Sequence, residues 1–144
     1  DLAQKIRMTV PHVHTFFALD TLEYLHKGGR CSAMENLVGS MLQIHPILEV
    51  IDGQIVVNRK VRGKRRKLIK EMLRMFESSL PDTDPSLILV NHSMSPDDAI
   101  LLQQTIQSLL PEGRIITTEA GCVISSHCGP RTFSIVYVTQ PRSK

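Results

Sequence analysis

The stretch ILEVIDGQIVVN at residues 47–58 places two apolar runs on either side of an Asp-Gly pair. Asp52-Gly53 is a dipeptide preferred in two-residue turns between antiparallel strands, because both turn positions need a positive φ. We therefore predict a β-hairpin with strands at residues 47–51 and 54–58. Part of the sheet must then be antiparallel.

Two helices are predicted downstream of the hairpin. Residues 64–80 repeat apolar side chains about four positions apart, which predicts an amphipathic helix that stops before Pro81. Residues 96–110 begin with Pro96 directly after Ser95, the usual combination of a capping residue and a first helical residue.

Two shorter helices are predicted upstream of the hairpin, at residues 20–27 and 32–43. Asp20 precedes Glu23 by three residues, and Ser32 likewise precedes a glutamate by three. This spacing is typical of a capping box, in which the two side chains satisfy free amides at a helix start.

Three further strands are predicted at residues 86–91, 114–118 and 132–138, with a loop at residues 121–130 between the last two. Strands and helices mixed in this order indicate an α/β fold of the α+β-like kind. Its mixed sheet would contain the antiparallel hairpin and pack against the helices.

Composition favours one globular domain in a reducing compartment. The chain has 144 residues, of which 42% are hydrophobic and 22% charged, enough to bury a core. Cys31, Cys122 and Cys128 form no C-x-x-C pair, which argues against a disulfide framework. No apolar run approaches the length of a membrane span. We expect a cytoplasmic protein.

Positive charge is concentrated in residues 59–67, which hold seven basic residues and no acid. A nucleic-acid-binding module using this basic run is the alternative function, and its binding would weaken steeply with salt. Aromatic residues make up only 4% of the chain and tryptophan is absent, so the stacking platforms of single-strand binders are scarce.

Catalytic and metal sites are not predicted. Cys122 and Cys128 lie near His127, but a structural zinc site needs four ligands in a recognisable spacing. Ser125 or Ser126 beside His127 lacks the glycine pattern of a hydrolase nucleophile. We therefore predict a protein that is not an enzyme and holds no metal or cofactor.

Two stretches together resemble the DegV family: DTLEYLHKGGRCS at residues 20–32 and VISSHCGPRT at residues 123–132. The segments between them keep the family order, with His-Pro-Ile-Leu at residues 45–48 leading into the Asp-Gly hairpin and Lys-Val-Arg at residues 60–62. The resemblance covers about residues 18–138, nearly the whole chain.

Members of that family have two lobes with a fatty acid buried between them, its carboxylate held by hydroxyl groups of the first lobe. The resemblance implies that residues 20–144 form the C-terminal lobe, and that residues 1–19 are a linker or the end of a missing N-terminal lobe. The implied function is a bacterial carrier that binds a long-chain fatty acid non-covalently and presents its carboxylate to a fatty acid kinase.

The resemblance also implies a ligand site. His127 would hydrogen-bond the carboxylate, and Arg30 would support the same polar network. Arg131 stands where the family usually has glycine, and arginine is disfavoured if that position needs a positive φ. Leu37 and Met41 would line an acyl tunnel, where flexible methionine suits a variable chain. The complete predicted set is His127, Arg30, Ser126, Arg131, Met41, Leu37 and Ile124.

The basic run is expected to dock the kinase through Arg62, Arg65 and Arg66, with Arg62 matching the family's docking arginine. An anionic membrane surface is a second use of this charge. Nucleic acid is not an expected partner. The isolated lobe would expose the apolar wall that its partner lobe covers, so self-association is expected.

Overall fold

The computed structural model describes residues 1–29 and 44–140. Within these residues the helices are α1 Leu2–Thr9, α2 Glu23–Lys27, α3 Arg65–Glu77, α4 Pro96–Leu109 and α5 Cys122–Cys128. The strands are β1 Val13–Ala18, β2 Ile44–Ile51, β3 Gln54–Arg62, β4 Thr83–Ser93, β5 Ile115–Glu119 and β6 Thr132–Thr139. The helix predicted at residues 32–43 lies outside the described part of the chain.

The strands form one mixed sheet in the order β3-β2-β1-β6-β4-β5. Strands β4 and β5 run parallel, and the other neighbours are antiparallel. The predicted hairpin is confirmed: Ile51 pairs with Gln54, and the turn residues Asp52 and Gly53 have φ values of 50° and 75°. The mixed α/β fold is therefore the one that the sequence predicts.

Strand β1 corrects the sequence interpretation of the first nineteen residues. Val13 pairs with Val138 of β6, and Phe17 pairs with Leu48 of β2. The strand thus lies inside the sheet with a partner on each side, so this part of residues 1–19 is not a linker. The assignment of residues 1–12 to a preceding lobe stays a prediction.

Helices α3 and α4 cover one face of the sheet. Their apolar stripes meet every second residue of the strands, because side chains alternate between the two faces of a sheet. Each such side chain contributes about 1.5–3 kcal/mol when fully buried. The residues buried here include Leu68, Met72 and Phe76 of α3, Leu102 and Ile106 of α4, and Ile47, Ile88, Val90, Phe133 and Ile135 of the sheet. The predicted amphipathic helix is confirmed.

The opposite face carries a smaller core under α2 and α5. Phe17, Leu25 and Leu48 are buried there, with Cys128 packed against them. Two local predictions are wrong on this face. Helix α2 begins at Glu23 after Leu22 rather than at Asp20, and the predicted loop at residues 121–130 contains the helix α5. Among the described residues, no helix has both the length and the mean hydropathy of a membrane-spanning segment.

Candidate ligand-binding site

A cavity of about 510 Å³ opens on the face of the sheet opposite α3 and α4. Strands β1, β6 and β4 form its floor and α5 forms one wall. Its surface is mostly apolar, and hydroxyl and imidazole groups are among the groups that line it. The lining side chains include Thr15, Phe17 and Val136 of the floor, Ser93, Thr132 and Ser134 among the polar groups, and Val123, Ile124, His127 and Cys128 of α5.

His127, which the family resemblance makes a ligand residue, lies in the last turn of α5 and lines this cavity. Its Nδ1 is buried and has no hydrogen-bond partner among the residues that the structure describes. The imidazole packs against Gly28 so closely that a Cβ built there would lie 2.1 Å from Nδ1. Gly28 therefore makes the space in which the ring of His127 sits.

A second glycine contact joins the same two parts of the chain. Gly129 has a φ of 79°, and a Cβ built on it would lie 2.3 Å from Cδ2 of Tyr24. Helices α2 and α5 thus pack through glycine on both sides, Gly28 facing His127 and Gly129 facing Tyr24. The two sequence motifs form one structural unit beside the cavity. Each motif contains a glycine that could have indicated a close approach by another segment. The sequence analysis did not predict these two contacts.

Arg131 adopts a φ of 61°, so the position does require the left-handed conformation that glycine prefers. Its side chain is 55% exposed, and its Nε lies 3.7 Å from Oδ2 of Asp20. The described cavity lining does not include Arg131. The side chain of Arg131, a predicted ligand residue, therefore lies beside Asp20 and outside the described cavity lining.

Ser126 is likewise not brought to the cavity. Its hydroxyl is exposed and donates to the carbonyl oxygen of Val123 at 2.9 Å, a bond within the helix. Ile124 does line the cavity, with 59% of its surface exposed at the rim. The predicted ligand residues Arg30, Leu37 and Met41 lie outside the described residues.

The basic run divides into inward and outward side chains. Arg65 is only 15% exposed and its guanidinium is bound to Asp20 and Asp98. Arg65, which was predicted to dock a partner, has its donors already used inside the domain. Arg62 and Arg66 are exposed and accessible to a partner.

The cysteines of α5 do not favour nucleophilic chemistry. Burial raises the pKa of the Cys128 thiol, which lowers its thiolate fraction at neutral pH. Cys122 is exposed at the other end of the helix. Across residues 1–29 and 44–140 there is no group of three His, Cys, Asp or Glu side chains placed to hold a metal ion.

These features define a mixed α/β domain with a mainly apolar cavity and a histidine in its lining. Residues 1–140 match the family model of DegV, described as an uncharacterised protein family, and the chain therefore belongs to the DegV family. This result confirms the resemblance carried by the two sequence motifs.

Curated and solved relatives match the chain along nearly its whole length. A DegV domain-containing protein of Clostridium acetobutylicum is 30% identical over 138 residues, which cover 96% of this chain and 48% of that protein. A fatty acid binding DegV family protein from Streptococcus agalactiae superimposes with a TM-score of 0.85 at 25% identity, covering 97% of this chain and 49% of the other.

The DegV family protein from Thermus thermophilus, whose structure describes fatty acid binding, has a TM-score of 0.76 at 27% identity and covers 96% of this chain and 49% of the other. The chain thus spans about half the length of the relatives it matches. Both solved relatives are described by their binding of fatty acid.

Proposed function

We propose that this chain forms one wall of a fatty-acid site and acts, together with a second lobe, as a non-covalent carrier. The acyl chain would lie in the cavity against the open face of the sheet. The carboxylate would lie beside His127, which would donate a hydrogen bond to it. A partner lobe would cover the exposed rim formed by Val123 and Ile124.

The observation that supports this proposal is the imidazole of His127 in the lining of a mainly apolar cavity. Its Nδ1 is buried against Gly28 and has no hydrogen-bond partner among the described residues, so the hydrogen bond to a ligand would come from Nε2. A carboxylate removed from water needs such donors, because an unsatisfied buried charge is costly.

Affinity would come from the acyl chain. Each buried methylene contributes about 0.8 kcal/mol, so a chain of roughly fifteen methylenes would gain on the order of 10 kcal/mol before the costs of binding. This gain suffices for retention during purification. It also depends little on salt, unlike binding to nucleic acid.

The proposed fate of the bound acid is presentation to a fatty acid kinase. Arg62 and Arg66 are exposed at the junction of β3 and α3, where they could meet acidic groups of such a partner. The same charge would favour an anionic membrane surface more weakly. An isolated lobe would instead cover its apolar rim by self-association.

The first test is native mass spectrometry with lipid extraction on the full-length protein that the gene encodes. We expect a fatty acid to co-purify with the wild type and to be reduced in His127→Ala. The matched control is His26→Ala, because His26 is an exposed histidine on α2. No lipid in the wild type would refute the carrier function. Salt-sensitive binding to DNA or RNA instead would favour the alternative function.

The second test concerns docking. With lipid-loaded protein and a fatty acid kinase, we expect Arg62→Ala to reduce acyl phosphate formation while leaving the lipid content unchanged. Arg114→Ala is the control, because Arg114 is exposed and precedes β5 at the opposite edge of the sheet. Equal effects of the two substitutions would argue against a docking role for Arg62.

A further inference from the structure

The guanidinium of Arg65 lies at the centre of a polar cluster at the first residue of α3. Its Nε donates to Oδ2 of Asp98 at 2.7 Å, and its Nη2 donates to Oγ of Ser95 at 2.8 Å. Its Nη1 donates to Oδ1 of Asp20 at 3.3 Å. The planar group also lies over the ring of Phe133, 5.1 Å from the centroid. These contacts fix the guanidinium from several sides.

The same guanidinium holds the backbone that follows α5. Its Nη2 donates to the carbonyl oxygen of Arg131 at 2.6 Å. Arg131 has a φ of 61°, a conformation that a residue with a side chain adopts only at a cost. Beyond it, Oγ1 of Thr132 donates to the carbonyl oxygen of Cys128 at 3.0 Å. Arg65 thus supports the loop that begins two residues after His127.

We propose that Arg65 is a positioning residue for the ligand site. By holding the carbonyl of Arg131 it fixes the loop that ends α5, and through that loop it fixes the imidazole of His127. The role in ligand binding rests on the proposed function, in which His127 contacts the carboxylate. Arg65 lies over Phe133, on the sheet face opposite the cavity, so its effect on a ligand is indirect.

Lysine provides a specific test of this role. It keeps the positive charge beside Asp20 and Asp98, but its compact ammonium cannot reproduce the planar fork that reaches Asp98 and Arg131 together. Arg65→Lys should therefore release the loop while preserving the local charge. Arg74→Lys is the matched control, because Arg74 is on the same helix, is exposed, and pairs with Glu71 on the surface.

A third variant separates positioning from stability. Leu68→Ala removes a fully buried side chain from α3 without touching the polar cluster. The full-length protein and its variants are compared by melting temperature, by affinity for oleate, and by the ring signal of His127 in spectra of ¹³C-labelled histidine. The ring signal of His127 is identified as the one that is absent from the spectrum of His127→Ala.

We expect Arg65→Lys to weaken oleate binding about tenfold, the loss that one hydrogen bond to a fixed group produces. It should also shift the His127 signal in the lipid-free protein. Arg74→Lys should do neither, and Leu68→Ala should lower the melting temperature while leaving the His127 signal in place. An unmoved His127 signal in Arg65→Lys, or an equal shift in Leu68→Ala, would overturn the inference.

The two proposals fail separately. If the wild type binds no oleate, the carrier function is refuted. The lipid-free His127 signal still decides whether Arg65 positions the imidazole.

Discussion

Replacing Gly28 by alanine should impair the ligand site while leaving the fold intact. The added Cβ would lie 2.1 Å from Nδ1 of His127 and 2.8 Å from its Cε1, both far inside contact distance. The backbone of Gly28 does not resist the change, because its φ of −79° suits any residue. The imidazole is the end of a rotatable side chain, so we expect the ring to turn away by roughly 1 Å or more.

The magnitudes follow from this geometry. Alanine in place of glycine at a compatible backbone position stabilises by about 0.4–1 kcal/mol, and moving a packed ring costs about 1–3 kcal/mol. The net effect of Gly28→Ala on the free energy of unfolding should therefore be modest, a loss between about zero and 2.6 kcal/mol. A carboxylate deprived of the imidazole donor loses about 1.5–3 kcal/mol, so fatty-acid affinity should fall by about tenfold to a hundredfold.

Gly29→Ala supplies the control in the neighbouring residue. Gly29 has a φ of 66°, so alanine there strains the backbone by about 1–2 kcal/mol. A Cβ on Gly29 meets no atom of the described residues within 4 Å, so His127 should stay in place. Urea unfolding and oleate titration of both full-length variants check the prediction. Wild-type affinity in Gly28→Ala, or an equal loss of affinity in Gly29→Ala, would refute the reasoning.

Three further predictions concern strain and ionisation. Arg131→Gly should raise the free energy of unfolding by about 0.5–1 kcal/mol in urea titrations, because it removes the cost of a positive φ; a loss of stability would contradict this. Burial raises the pKa of Tyr137 although Ser79 hydrogen-bonds it, so the unfolded state releases the phenol proton first. Stability should then fall as pH rises above about 10. Tyr137→Phe should therefore lose less stability than the wild type above about pH 10. Identical pH dependence of the free energy of unfolding in the two proteins would argue against this reasoning. Burial also raises the pKa of Cys128, so iodoacetamide should label exposed Cys122 faster, as measured by peptide mapping; equal rates would contradict burial.

Local patterns predicted much of the fold. The hairpin follows from Asp52-Gly53 because a two-residue turn is determined by its own backbone preferences. Helix α3 follows from its apolar period, and α4 follows from Pro96 after Ser95, which the structure confirms as the residue before the helix. In each case the information lies within a few residues of the element it predicts.

The missed elements depend on distant partners. Strand β1 pairs with β6, whose residues are more than a hundred positions away, as in the pair Val13 and Val138. Helix α5 consists largely of Ser, His, Cys, Val and Ile, which are mediocre helix formers, and it packs against α2. The side chain of Asp20 binds Arg65 instead of capping α2. Nothing in these segments alone reveals the contacts that decide their structure.

The candidate site shows the same division between residue chemistry and residue placement. His127 is recognisable from its motif as a group able to bind a carboxylate, and it lines the cavity. Ser126 and Arg131 have equally suitable chemistry, but a helix bond to Val123 and a contact toward Asp20 place them elsewhere. A list of all polar residues near a motif therefore includes residues that lie outside the site. The direction of each side chain depends on its position in the helix or the loop.

The glycines explain why the two motifs must act together. An α2 that carried a side chain at Gly28 would exclude the ring of His127, and an α5 that carried one at Gly129 would exclude the ring of Tyr24. Each motif thus contains both an aromatic or imidazole ring and the glycine that receives the ring of the other. Because this exchange is reciprocal, the position of His127 is determined by residues about one hundred positions earlier in the chain. The function of the DTLEYLHKGG segment is then partly steric: it shapes the space for the imidazole of His127, which we propose as the donor to the ligand carboxylate.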